Sequence, residues 1–221
     1  MCLFLTLSPS DVSAGSIIAN GSFEANTADG SSYNLSNAEY TSLMSNSVGF
    51  GARETGGTIG EIDIMTFGGG FGLDPVDGAW HVALSGGGLD PTQAESDALS
   101  LSLTAPVLAG TSYALSFQAA ANSTFNAGTA AVEIGISDRA GTFGTSVYSS
   151  NTLTLDAWAS FQHTFVAPQS GAFLTVRVFD PDPQDPLSTW AHVDDFQLSV
   201  VPAPGAWAAL AFLFAARRRR R

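Results

Sequence analysis

The chain has 221 residues, a formal net charge of −12 and 45% hydrophobic residues. It contains no lysine, and five of its eight basic residues are the terminal arginines, so the body sets three arginines (Arg53, Arg139 and Arg177) against twenty acids. Such a body repels nucleic acid and anionic lipid and suits divalent cations. Its hydrophobic content separates it from disordered acidic chains, and its single cysteine, Cys2, excludes an intrachain disulfide or a cysteine-based metal site.

In chain order, residues 1–14 read as a truncated signal peptide. Val12-Ser13-Ala14 before Gly15 obeys the small-x-small cleavage rule, without a basic leader or a full-length apolar stretch. Residues 15–200 read as all-β, an antiparallel sandwich of about ten strands. Short runs of alternating polarity are separated by Gly, Pro, Asp and Ser clusters, the pattern of half-buried strands. The expected strands are Ile17–Glu24, Glu61–Phe67, Ala79–Leu84, the run with Leu99, Leu101 and Leu103, and the run with Tyr113, Leu115 and Phe117. They continue with Val132–Ile136, Leu153–Leu155, Phe161–Val166, Phe173–Phe179 and His192–Val200. One short helix is expected where Ser36 and Glu39 form a capping box ahead of Tyr40, Leu43 and Met44. Gly-Leu-Asp-Pro occurs at 72–75 and again at 88–91, which reads as repeated turn chemistry.

The chain ends with Val201-Pro202-Ala203-Pro204, an apolar run over 205–216 and five arginines, Arg217, Arg218, Arg219, Arg220 and Arg221. As a helix the twelve apolar residues extend roughly 18 Å, short of a hydrocarbon core of roughly 30 Å. Arginines directly after an apolar segment hold that end in the cytoplasm and leave the preceding chain exported. The order of proline motif, short hydrophobic helix and arginine cluster over 201–221 resembles the PEP-CTERM sorting signal of bacterial exported proteins, with Ala203 in place of the family's glutamate. That resemblance implies an exosortase-like membrane protease as partner and a cell-surface, cell-envelope or extracellular location. It also implies membrane contact through this segment before processing.

Two stretches frame the body: Asn20-Gly21-Ser22-Phe23-Glu24 opens it, and Ala191-His192-Val193-Asp194-Asp195-Phe196-Gln197-Leu198 closes it. Between them lie Asp77–Leu84, Tyr113–Phe117, and Trp158 followed by Phe161 and Phe165. The succession resembles the galactose-binding-like jelly rolls of carbohydrate-binding modules. The resemblance implies a structural calcium between first and last strands, held by Glu24 and by Asp194 or Asp195. Strand parity favours Asp194, which shares the face of Phe196, Leu198 and Val200, while Asp195 points outward. In the alternative reading, Asp194 accepts backbone or His192 hydrogen bonds and Glu24 is a solvated strand end. The resemblance also implies aromatic platforms for sugar rings, for which Trp158, Trp190, Tyr33 and Tyr40 are the candidates. Trp80 shares the face of Val82 and Leu84 and is expected in the core.

Catalysis lacks a signature. His81, His163 and His192 lie within strands, and the chain has no Gly-x-Ser-x-Gly, no His-Glu-x-x-His and no phosphate loop. The expectation is a non-enzymatic module of the cell envelope or extracellular matrix that associates with extracellular polysaccharide. A lectin with a defined glycan is the alternative, and a glycosidase-like carboxylate pair the more distant one.

Overall fold

A computed structural model of the chain describes residues 15–51, 62–69, 71–86, 96–123, 129–181 and 189–202. The leader, residues 1–14, and the sorting-signal residues from Ala203 onward, including Pro204 and Arg217 to Arg221, lie outside the described residues. Among the described residues no helix is long and apolar enough to cross a membrane.

The described residues form eleven strands and one helix in order: β1 (Ser32–Leu35), α1 (Asn37–Leu43), β2 (Ser47–Phe50), β3 (Ile62–Thr66), β4 (Trp80–Gly86), β5 (Ala98–Val107), β6 (Ser112–Ala121), β7 (Ala131–Ser137), β8 (Thr145–Ser149), β9 (Ala159–Val166), β10 (Gly171–Phe179) and β11 (Thr189–Val200). All pairings between them are antiparallel. A six-stranded sheet, ordered β1-β3-β4-β11-β6-β9, packs on a five-stranded sheet, ordered β2-β5-β10-β7-β8. The fold is an antiparallel β-sandwich of jelly-roll type. Alternation decides which side chains meet between the sheets: Val82 and Leu84 of β4, Leu115 and Phe117 of β6, Val193 and Leu198 of β11 from one, and Leu99, Leu101, Ile134, Ile136, Leu174 and Val176 from the other.

The capping box at the start of α1 forms as the sequence predicts. Ser36 Oγ accepts the Glu39 amide at 3.3 Å and Glu39 Oε2 accepts the Ser36 amide at 2.9 Å. Two expected strands are absent. Leu153–Leu155 contributes only an isolated bridge to β6. Ile17–Glu24 forms no regular strand, because it is wedged between the two sheets and bonds to both. Ile17 donates to Leu198 O of β11 at 2.8 Å while accepting from Thr104 of β5, and Ala19 donates to Ser102 O. This wedge closes one flank of the sandwich.

The wedge explains the opening motif residue by residue. Asn20, 6% exposed, ties the chain to its own next turn: its side chain accepts the Ala25 amide and donates to Ala25 O and Ser45 O. Gly21 lies against the closing strand, where its carbonyl accepts the Phe196 amide at 2.9 Å and a side chain would overlap the Phe196 carbonyl. Phe23 then drops into the core edge-on to Phe196, centroids 6.2 Å apart.

Candidate functional site

The outer face of the six-stranded sheet carries the chemistry. Near β4 and β11 it is roofed by the loop 67–79, and near β6 and β9 it is open.

Under the loop, Asp194 corrects the parity reading. Asp194 pairs with Gln118 of β6, an outward position, and the register then slips so that Gln197 pairs with Ser116. Asp195, with φ of 49°, is the extra residue of a β-bulge. The bulge reverses the alternation: Phe196 and Leu198 face the core, while Asp194 stands on the outer face. Val200, also expected inside, is 42% exposed. Asp194 is nonetheless fully buried, because the loop lies over it. Its Oδ2 accepts the Val76 amide at 2.8 Å and the Asp77 amide at 3.2 Å, and Oδ1 accepts the Asp195 amide at 2.7 Å. Burial outweighs these bonds and pushes its carboxyl up to about 7.

Glu24 grips the other end of the same loop. Its Oε1 accepts the Ala79 amide at 2.8 Å and the Trp80 amide at 2.9 Å. Gly78, at φ of 66°, leaves the space in which the Glu24 carboxylate sits; a side chain there would collide with it. The two candidate calcium ligands are thus joined through the five residues Val76–Trp80, where the loop enters β4.

Beside Asp194 two histidines form a buried pair. His81 Nε2 and His192 Nδ1 are 2.9 Å apart, and Asn122 Nδ2 lies 3.2 Å from His192 Nε2. If the Asn122 amide donates there, His192 keeps its proton on Nδ1 and donates it to His81. His81 then carries its proton on Nδ1, which has no partner among the described residues. Burial drives both rings toward the neutral form. It brings His81 down to about 4 against the opposing charge of Asp74, and holds His192 well below the ordinary histidine range with help from His81. Trp158 covers the pair edge-on, 5.5 Å from His81, and its indole nitrogen donates to Asp74 O at 2.8 Å.

The four aromatic candidates separate. Tyr40 is no platform: it is fully buried, with its hydroxyl 2.8 Å from Ser47 Oγ, because α1 turns that side chain into the core. Trp190, 7% exposed, is enclosed between Phe71 (5.3 Å) and His192 (4.8 Å). Trp158 is half-buried at the boundary of the open region. Tyr33, on the edge strand β1, is 42% exposed. Sequence reasoning missed Phe71, equally exposed and 5.6 Å from Tyr33; it sits in a glycine-rich turn where no periodicity flags a ring.

The open region is a shallow groove of about 230 Å³ lined by Ser16, Ser116, Gln162, Thr164, Gln197 and Ser199. Register places these side chains in rows across three strands: Gln197–Ser116–Gln162, then Ser199–Ala114–Thr164. The next row toward Trp158 contains Gln118 and Ser160, which hydrogen-bond each other at 2.8 Å. The lining offers mainly hydroxyls and amides; His163 of β9 also borders it, and Gln197 Nε2 donates to Asp195 Oδ1 at 2.8 Å. The described arginines are elsewhere: Arg177, in the five-stranded sheet, pairs with Glu133 at 2.5 Å and lies over the Phe143 ring, and Arg139 follows β7.

No protein-family model matches the chain, and no curated protein sequence is similar to it. Solved structures share its fold at low identity. The arabinose-bound structure of the MgGH51 α-L-arabinofuranosidase aligns over 84% of this chain and 26% of its own, at 12% identity and a TM-score of 0.50. The CBM22-1 xylan-binding domain of Paenibacillus barcinonensis Xyn10C aligns over 86% and 97%, at 17% identity and a TM-score of 0.48. The K1 cleaved adhesin domain of the Lys-gingipain of Porphyromonas gingivalis aligns over 72% and 92%, at 12% identity and a TM-score of 0.48. The likeness is one of fold, a jelly-roll sandwich.

Proposed function

We propose that this chain is an exported, non-catalytic carbohydrate-binding module that associates with extracellular polysaccharide. The observation that carries the reading is the open groove over β6, β9 and β11. Hydroxyls and side-chain amides at strand spacing can both donate to and accept from sugar hydroxyls, and the half-buried Trp158 ring stands on the same face beyond the row of Gln118 and Ser160. An acidic chain with no arginine among the described residues of this face suits a neutral glycan and disfavours uronates or sulfated chains. Several of the solved structures with this fold are named as carbohydrate-binding domains, which agrees with the reading. The test is retention of the full-length chain in native gels cast with soluble xylan, β-glucan or mannan, with polygalacturonate as the charged control. Retention by a neutral polymer that Gln162→Ala/Gln197→Ala weakens is expected; equal mobility in all gels would overturn the assignment.

Calcium belongs to the same reading. Glu24 and Asp194 would supply the charge for such an ion: Asp194 is a buried carboxylate held by three backbone amides, and Glu24 Oε2 accepts no hydrogen bond among the described residues. With these residues as ligands, the ion would complete its six to eight oxygens from carbonyls and water and pin the loop 67–79 over the sheet. Export is inferred from the residue pattern of 201–221, which resembles a sorting signal read by an exosortase-like protease.

A further inference from the structure

We propose that the free edge of β9 pairs antiparallel with β9 of a second copy of this chain, joining two six-stranded sheets across a two-fold axis at Gln162. The inference goes beyond the carbohydrate-binding reading and does not depend on it.

Four strands end the two sheets, and three of them are protected. β1 has four residues and an irregular register with β3. β2 has four residues and is flanked by α1, whose Thr41 Oγ1 accepts the Gly49 amide at 3.0 Å. β8 has five residues and a register shift against β7. β9 differs. Its eight residues, Ala159–Val166, keep one unbroken register with β6. It contains no proline, no glycine and no acidic, lysine or arginine side chain. Short length, bulges, prolines and charges are the devices that keep sheet edges apart, and β9 has none of them. The chain carries a net charge of −12, yet residues 157–176 contain no Asp, Glu, Lys or Arg. At this strand two copies can approach without like charges meeting.

The ladder decides which backbone groups are free. Just beyond β9 the Ala167 amide donates to Thr111 O at 2.9 Å, and on the other side of β6 the Val201 amide donates to Ser112 O at 2.9 Å. The odd-numbered residues of β9 therefore bond β6, and the N–H and C=O groups of Ser160, Gln162, Thr164 and Val166 point away from it. Among the described residues no strand pairs with this side.

A two-fold axis at Gln162 makes the row self-complementary. Gln162 then faces Gln162 of the second copy, and Ser160 faces its Thr164, so amide meets amide and hydroxyl meets hydroxyl. Farther out, Val166 faces Trp158 of the second copy. Val166 is 62% exposed, and Trp158 is half-buried on the same outer face. Both stand four residues from Gln162, so a single axis covers them at the two ends of the seam. On the inner face, Phe161 meets His163 of the second copy. Both are half-buried, Phe161 stacked on Phe117 at 5.0 Å and His163 beside Tyr148 at 4.9 Å. A second copy supplies this match by symmetry, which a foreign strand does not. Because Gln162 and Thr164 line the open groove, the pairing sets two grooves side by side on one continuous sheet.

The test is sedimentation velocity of the full-length chain over about 1–300 μM, the range for a small interface. Wild type is expected to dimerise within it. Gln162→Pro removes an amide that the fold leaves free and the seam uses twice, at an edge position where proline is tolerated. It raises the dimer dissociation constant about tenfold or more, while dilute protein melts at the wild-type temperature. Gln162→Glu and Gln162→Lys set like charges opposite each other, and each raises the constant about two- to fivefold. An equal mixture of these two recovers the dimer. A wild-type chain that stays monomeric over the whole range would overturn the proposal. So would association that all the Gln162 variants leave intact, since it would then run through another surface such as the apolar run 205–216. Should Gln162→Pro fail to fold, the charge variants decide: dimers that form as readily from either one alone as from the mixture would overturn the seam.

Discussion

Gly21→Ala tests the seam on which the site is built. The glycine lies where the opening segment crosses the closing strand, and an added Cβ would overlap the Phe196 carbonyl oxygen and approach its carbon to 2.9 Å. Both atoms are backbone, so no side chain can swing aside. Relief requires the segment to lift from β11, which breaks the hydrogen bond from the Phe196 amide to Gly21 O and loosens Phe23 from Phe196. Overpacking in a closed interior costs about 1–3 kcal/mol and the lost bond about 1 kcal/mol more. The sum, about 2–4 kcal/mol, corresponds to a fall in Tm of about 4–16 °C for a domain of this size. The assay is thermal unfolding by circular dichroism, with Gly30→Ala as control, since nothing lies within 4 Å of a Cβ there. A Gly21→Ala chain melting within about 1 °C of wild type would refute the close crossing and with it the hold of Glu24 and Asp194 on the loop before β4.

Three further outcomes are expected. Tyr40→Phe leaves the Ser47 hydroxyl buried without its partner and costs about 1–2 kcal/mol in urea unfolding, with glycan retention unchanged; lost retention at full stability would return Tyr40 to the binding surface. In the presence of chelator, His81 and Asp194 act oppositely on acidification. His81 titrates near 4 in the fold against an ordinary 6.5, so the unfolded chain takes up protons first and stability falls below pH 6.5, by about 2 kcal/mol at pH 5 from this group. Asp194 titrates near 7 against an ordinary 3.8, so the folded chain takes up its proton first and stability rises over the same window. Unfolding at pH 7.5 and 5.0 should therefore show a smaller acid loss in His81→Gln and a larger one in Asp194→Asn; identical pH slopes in all three proteins would contradict the buried placement. Saturating calcium, at a hundred times its dissociation constant, adds about 2.7 kcal/mol, or about 5–10 °C. Chelator should remove this gain and Asp194→Asn should lack it, whereas a Tm indifferent to calcium would refute the ion.

The strands legible in the sequence are those with one face in the core. β6, with Tyr113, Leu115 and Phe117 alternating against Ala114 and Ser116, announces itself because its partners on both sides fix that face. β1, β2 and β8 were not foreseen, and each is a sheet edge. Strands such as Ser32–Leu35 and Thr145–Ser149 bury little on either face and carry little alternation. The segment Ile17–Glu24 does alternate, but its hydrogen bonds divide between two sheets, which alternation cannot reveal.

At the site, the sequence identified Glu24 and Asp194 and mistook how Asp194 is placed. A bulge of one residue at Asp195 reverses parity, and nothing in Asp194-Asp195-Phe196 marks it beforehand. The pairing of His81 with His192 spans 111 residues of chain and follows only from strand order. Of the aromatic candidates, Tyr33 and Trp158 retain exposed surface, while Tyr40 shows how a helix placed by its capping box can carry a tyrosine inward.

The most direct test of the central claim is a nuclear magnetic resonance titration of the full-length chain with a soluble neutral oligosaccharide. The side-chain amide signals of Gln162 and Gln197 report on the open groove. The account predicts that both shift on titration together with the Trp158 indole signal, while the amide of Asn151, a residue after β8 in the other sheet, stays in place. Saturable binding that leaves the two glutamines and Trp158 unmoved would contradict the groove as the glycan surface.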